Sequence, residues 1–143
     1  MWEEFEENAE QELKRADHIV FVSLKYTRTA DVIKNAIGRF IAAFDFAVLE
    51  ALEFLKVKNI PDHPRARASL FGEKLKNFHK DITFYNHLRD INKAPFQAKE
   101  EYRKNVTLIT TVQEVNIEVL KEYFEHTKKF VKEVEEFVRG QKK

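Results

Sequence analysis

The chain has 143 residues, the length of one domain, and Lys+Arg 25 against Asp+Glu 24 leaves a formal charge of +1, which argues against a wholesale polybasic binder. The absence of cysteine excludes disulfide scaffolds, thiolate zinc sites and cysteine nucleophiles, while 3 Gly and 3 Pro weigh against a turn-rich sandwich, a glycine-rich dinucleotide loop or a disordered linker. The charged fraction of 34% suits a helical surface dense in ion pairs, a composition common in heat-adapted proteins.

The opening Trp2-Glu3-Glu4-Phe5-Glu6-Glu7 has neither the basic start nor the apolar run of a signal peptide. The apolar clusters at 19–22 and 41–44 are far too short to span a bilayer, so a cytoplasmic chain without membrane contact is expected. A first helix is predicted from about residue 3 to about residue 24, because Trp2, Phe5, Ala9, Leu13, Ala16, Val20 and Leu24 recur at helical steps. Glutamates at 3, 4, 6, 7, 10 and 12 read most simply as a complement to the helix dipole, and otherwise as an acidic partner surface.

Thr29 is the predicted N-cap of a second helix, reaching to about residue 57 with Val32 as its first inward residue. Its apolar stripe, from Val32 through Phe40, Phe44 and Val48 to Leu55, is wide and interspersed with alanine, as expected of a central helix with several close neighbours. Pro61 and Pro64 mark 58–67 as a loop. A third helix is predicted over about 68–91, with Phe71, Leu75, Phe78, Ile82, Tyr85 and Leu88 on one face, ending before Pro95. The stretch 97–138 is read as helical, and at about 1.5 Å per residue it is too long to be one rod. A break is placed in the β-branched cluster between Val106 and Val112, which creates a fifth helix. The expected fold is a single all-α domain over 1–143, an up-and-down bundle of four main helices with that fifth as a variant.

No histidine follows a carboxylate by three positions, so a Glu-x-x-His di-iron site is not expected, and His79 and His87, eight apart, are too distant to share a metal. No metal and no cofactor are expected. Ser23 and Ser69 sit in no nucleophile elbow, and Gly38, Gly72 and Gly140 are too isolated to cradle a phosphate; Gly38 and Gly72 read as close-packing points. From Lys56 to Lys80 seven Lys or Arg residues stand against Asp62 and Glu73. Arg65 and Arg67 there are candidate phosphate contacts, and the alternative is a solvated face paired with acidic residues. Arg89, Tyr102 and Arg103, in a second polar group, suit stacking and phosphate contact, and equally a protein interface.

The segment NAIGRFIAAFDFAVLEALEFLKVKNIPDH, residues 35–63, resembles the central helix of the HEPN superfamily of small helical bundles, in Arg39, Phe40, Ala42, Ala43, Phe44, Ala51, Leu52 and His63. The resemblance implies a helical bundle with a dimer tendency and a connection to RNA or to toxin–antitoxin pairs. Ribonucleases of that superfamily carry an arginine and a polar residue followed, after four to six positions, by a histidine. Arg89-Asp90 matches the start, but the histidine positions hold Ala94, Pro95 and Phe96. The reading is therefore a non-catalytic HEPN-like module that contacts RNA or a partner protein through Arg65, Arg67, Arg89, Tyr102 and Arg103. The alternative is a structural or regulatory homo-oligomer without nucleic-acid binding. A third reading is a divergent, metal-independent ribonuclease using Arg89 with His87. A homodimer is expected, because thirteen phenylalanines exceed what one small subunit buries.

Overall fold

A computed structural model of the chain describes residues 8–140. Trp2, Phe5 and the glutamates at 3, 4, 6 and 7 lie outside the described residues, as do Gln141, Lys142 and Lys143. The first rod begins at α1 (Ala9–His18), where Asn8 Oδ1 accepts from the Gln11 N–H at 2.9 Å and satisfies one of the open amides of the first turn. A π-helical turn, Ile19–Ser23, interrupts it before a last helical turn, α2 (Leu24–Tyr26). The expected inward residues Ala9, Leu13, Ala16, Val20 and Leu24 are all buried. The wider π turn carries Phe21 and Val22 outward, to 37% and 40% exposure.

Thr29 caps α3 (Ala30–Phe54), its Oγ1 accepting from the Val32 N–H at 3.3 Å. Twelve residues of α3 are buried, among them Phe40, Phe44 and Leu52, and the helix touches α1, the two helices that follow it in the chain, the C-terminal helix and the sheet described below. It ends in a Schellman motif: Val57 N–H donates to Leu52 O and Lys56 N–H to Glu53 O, with Lys56 left-handed at φ 58°.

The expected loop is shorter than read, because Pro64 starts a helix instead of breaking one. Pro64 occupies the first turn of α4 (Pro64–Lys74), where its missing N–H costs nothing. The predicted third helix is two helices. The chain leaves helical angles at Leu75 (φ −127°, ψ 83°), makes a 3₁₀ turn over Lys76–Phe78, and resumes as α5 (His79–Lys93). Ala94 is extended before Pro95, as predicted.

The largest correction concerns 97–116, read as helix. It forms an antiparallel meander of β1 (Gln97–Lys99), β2 (Thr107–Ile109) and β3 (Glu114–Asn116), followed by α6 (Ile117–Gly140). No fifth helix arises from a break in the C-terminal segment; the additional helix comes from the break at Leu75. Val106, Thr107, Ile109 and Thr110 crowd χ1 in a helix and pack well on a pleat. Val106, Leu108 and Val115 are fully buried, so the sheet closes one end of the core. The Thr110 side chain makes the β2–β3 turn without glycine: its Oγ1 accepts from the N–H groups of Val112 and Gln113 and donates to Gln113 O.

The core is one cluster drawn from every helix and the sheet. At its centre Phe44 and Phe130 stack with centroids 4.3 Å apart, and Phe71 and Phe78 meet Phe130 edge-on at 5.8 and 5.6 Å. Glu12, 3% exposed, is paired by Arg15 and by Arg39 at 3.1 Å, which ties α1 to α3. Gly72 meets only Ile82 Cγ1, at 3.6 Å from where a Cβ would stand, and Gly38 meets nothing within 4 Å; neither is a close-packing point.

Candidate functional site

The start of α4, the end of α5 and the middle of α3 meet at a cleft of about 290 Å³. Gly38 and Ile41 floor it from α3, His63 and Arg65 come from the α4 start, and Arg89, Asn92 and Lys93 come from α5. Gly38 leaves that space because it has no side chain, not because a neighbour presses on it.

Arg89 is held from behind. Its Nε donates to the Tyr85 hydroxyl, one turn earlier on α5, and its Nη2 meets Asp45 Oδ2 at 3.0 Å. The Tyr85 hydroxyl in turn donates to Asp45 Oδ1. The guanidinium also lies over the Tyr85 ring, 5.3 Å from its centroid. Nη1 has no partner among the described residues, and the side chain is 28% exposed. Burial raises the Asp45 carboxyl above its ordinary range, against the Tyr85 hydrogen bond and the Arg89 charge, which favour its ionised form. Burial and the Asp45 contact together push the Tyr85 hydroxyl up, so it stays protonated and keeps donating. Arg65 is held in the same manner, by Asn86 Oδ1 at 3.2 Å and Asp90 Oδ1 at 2.7 Å. Two fixed guanidiniums, a lysine and a histidine in a shallow cleft can take an oxyanion in fork geometry.

The other expected contact residues are not gathered there. Arg67 turns back on its own loop, its Nε donating to Pro61 O at 2.6 Å and its Nη2 to Asp62 O at 2.8 Å. It fastens the 58–63 loop to α4 and does not line the cleft. Tyr102 and Arg103 stand exposed in the β1–β2 turn, joined to the start of α3 through the Tyr102 N–H and Arg28 O at 2.6 Å. His87 lies two residues from Arg89, about 200° around the helix. Its ring packs edge-on against Tyr123 of α6, centroids 6.4 Å apart, so the pair is not brought together.

Asp45, Tyr85 and Asn86 complete the cleft's support; Tyr85 belongs to the same polar group of the sequence as Arg89, whereas Asp45 and Asn86 were not singled out from sequence. Asp45 had a legible signal: it is a lone carboxylate in the apolar run Ala42-Ala43-Phe44-Asp45-Phe46-Ala47. A charge in such a run needs a partner.

Among the described residues no group of three or more His, Cys, Asp or Glu could hold a metal ion, and no helix is long and apolar enough to cross a membrane. Comparison with protein-family models, with curated proteins and with solved structures finds no match to this chain.

Proposed function

We propose that the chain is a non-catalytic HEPN-like module that binds RNA through its phosphate backbone at the Arg65–Arg89 cleft. One observation carries the reading. Two arginines 24 positions apart in sequence line the same cleft, Arg89 backed by the half-buried Asp45 and Arg65 paired with the exposed Asp90, with Lys93 and His63 beside them. Fixed guanidiniums lose little freedom on meeting a phosphate. The core positions of the resemblance, Phe40, Ala43, Phe44, Ala51 and Leu52, are buried on α3. In this proposal α1, α3, α5 and α6 form the superfamily's four-helix bundle, and the toxin–antitoxin connection belongs to the same reading. The proposal gives the cleft binding and no strand cleavage, because His87, the partner of Arg89 in the ribonuclease alternative, packs against Tyr123 and does not line the cleft, whose imidazole is His63.

The test is a gel-shift titration with a mixed single-stranded RNA pool at several salt concentrations. RNA is expected to shift uncut at low salt, with affinity falling as salt rises. Arg65→Ala and Arg89→Ala are each expected to weaken binding and to lower the salt slope by about one. No shift at low salt overturns the proposal in favour of a protein partner, and shortened RNA overturns its non-catalytic part.

A second reading, the structural homo-oligomer, rests on the outward Phe21, Val22 and Tyr26, the last 83% exposed. It expects a dimer mass by light scattering at micromolar protein, reduced to the monomer by Phe21→Ser with Val22→Ser. A monomer in the wild type removes it.

A further inference from the structure

A second concavity, of about 680 Å³, lies over the outer face of the sheet. The strand register builds that face. Lys99 pairs with Thr107, and Thr107 pairs with Asn116, so these three side chains form one row across the strands. The alternate residues Leu108 and Val115 are fully buried, so the pleat sends Lys99, Thr107, Glu114 and Asn116 to the opposite side, where all four line the cavity. None of these residues enters the proposed RNA site.

Four cations from four segments converge here: Arg28 from the α2–α3 link, Lys99 from β1, Lys104 from the β1–β2 turn and Lys121 from α6. Lys121 also lies over the Phe21 ring, 5.8 Å from its centroid. Arg28 is the most informative. Its Nε is buried and meets no acceptor among the described residues, although Glu100, Glu114 and Glu118 line the same space. Buried polar atoms are almost always paired, so Arg28, which lines the cavity and holds an unpaired Nε buried behind that lining, is left short of an acceptor.

The wall around Arg28 is fastened in advance. The Tyr102 N–H donates to Arg28 O at 2.6 Å, and Glu101 Oε2 accepts from the Ala30 N–H at 2.9 Å, two contacts that hold the backbone just after the Arg28 side chain. Glu100 and Tyr102 are both left-handed, at φ 60° and 69°, a conformation that costs energy in residues other than glycine. The turn that carries Glu100 and Lys104 to the cavity is therefore kept in a strained form by contacts to the segment that bears Arg28.

The geometry points to a second binding site, for a small phosphorylated ligand bearing hydroxyl groups. Arg28 takes the phosphate in fork fashion, its side chain turning so that Nε and a terminal nitrogen both donate. Lys99 and Lys104 balance the remaining charge. Glu114 and Glu118 accept hydrogen bonds from the ligand's hydroxyls.

Titration calorimetry at low ionic strength tests this with inorganic phosphate, ribose 5-phosphate and ribose. Ribose 5-phosphate is expected to bind more tightly than phosphate, and ribose not at all. Arg28→Gln is expected to lower the affinity by about tenfold or more, the scale of a lost charge-assisted pair. Lys104→Gln, at an exposed turn position, is expected to weaken binding with an unchanged circular dichroism spectrum, and it decides the matter if Arg28→Gln does not fold. Arg89→Ala is expected to leave ribose 5-phosphate binding intact, which separates this site from the RNA cleft. Absence of heat with both phosphorylated probes, or wild-type affinity in Lys104→Gln and in a folded Arg28→Gln, overturns the proposal. Equal affinity for phosphate and ribose 5-phosphate overturns the part played by the glutamates.

Discussion

Tyr85 puts a hydroxyl at the end of a fully buried ring, between the Asp45 carboxylate and the Arg89 guanidinium. Tyr85→Phe keeps the ring and removes that hydroxyl, leaving a half-buried carboxylate oxygen and an arginine nitrogen without this partner. We expect a loss of about 1–3 kcal/mol in urea unfolding, together with weaker RNA binding as Arg89 loses its anchor. Unchanged stability would mean that water replaces the hydroxyl and that the arginine is not held as described. Gly38 separates structural from functional use of the cleft. Nothing stands within 4 Å of a Cβ there, and the residue lies inside a helix, so Gly38→Ala should stabilise the protein by about 0.5–1 kcal/mol. Gly38→Phe fills the cleft floor and should abolish RNA binding while the thermal melt stays cooperative. Retained binding in that variant would place the RNA elsewhere.

Elements whose chemistry is local were legible in the sequence, and those set by distant contacts were not. Thr29 as the α3 cap, the wide α3 stripe and the stop before Pro95 follow from one or two residues and a clear period. The strands escaped because each is three residues long, too short for alternation to outweigh the flanking helical pattern. Their one local mark was the β-branched run, read as a weak point in a helix. The break at Leu75 has no proline, and Gly72 in the last turn of α4 reads in the sequence as a packing point; the edge-on contacts of Phe71 and Phe78 to Phe130 accompany the redirection. The candidate site was half legible for the same reason: its arginines show in the composition of 56–80 and of α5, whereas the choice of Arg65 over Arg67 depends on where the loop carbonyls lie. At the α3 C-terminus Lys56 holds a conformation suited to glycine, so Lys56→Gly should raise stability by up to about 1 kcal/mol, measured by urea unfolding. Where α1 meets α6, burial and then a shared hydrogen bond with Glu10 push the Glu135 carboxyl up to about 7, against the pull of Arg139. Between its ordinary value and about 7 the folded chain holds a proton that the unfolded chain has lost, so stability falls as pH rises through that window. Glu135→Gln should therefore melt higher than the wild type above about pH 7, with the gain shrinking toward the acid end of the window. A gain independent of pH would assign it to helix propensity instead.

Because α3 touches the helices on its flanks and also β1 and β2, no element of the molecule has a core of its own. The sheet supplies Val106, Leu108 and Val115 to the same cluster that holds Phe44 and Phe130, and three short strands could not bury those residues without α3. Unfolding the sheet first would expose three fully buried apolar side chains and release the turn contacts at Arg28 and Ala30 that brace the start of α3. Sheet and helices should then unfold as one unit. Native-state hydrogen exchange is the measurement. The amides in the β2–β3 ladder should exchange with the same opening free energy as mid-α3 amides, and Leu108→Ala should lower both by the same amount, about 2–5 kcal/mol. If Leu108→Ala lowers protection in the strands alone, the meander is a separate unit and the cavity over its outer face is not braced by the helical core. The equal loss in both, by contrast, would make the stability of that cavity the stability of the whole fold, since the strands that carry Lys99, Thr107 and Asn116 would open only when α3 does.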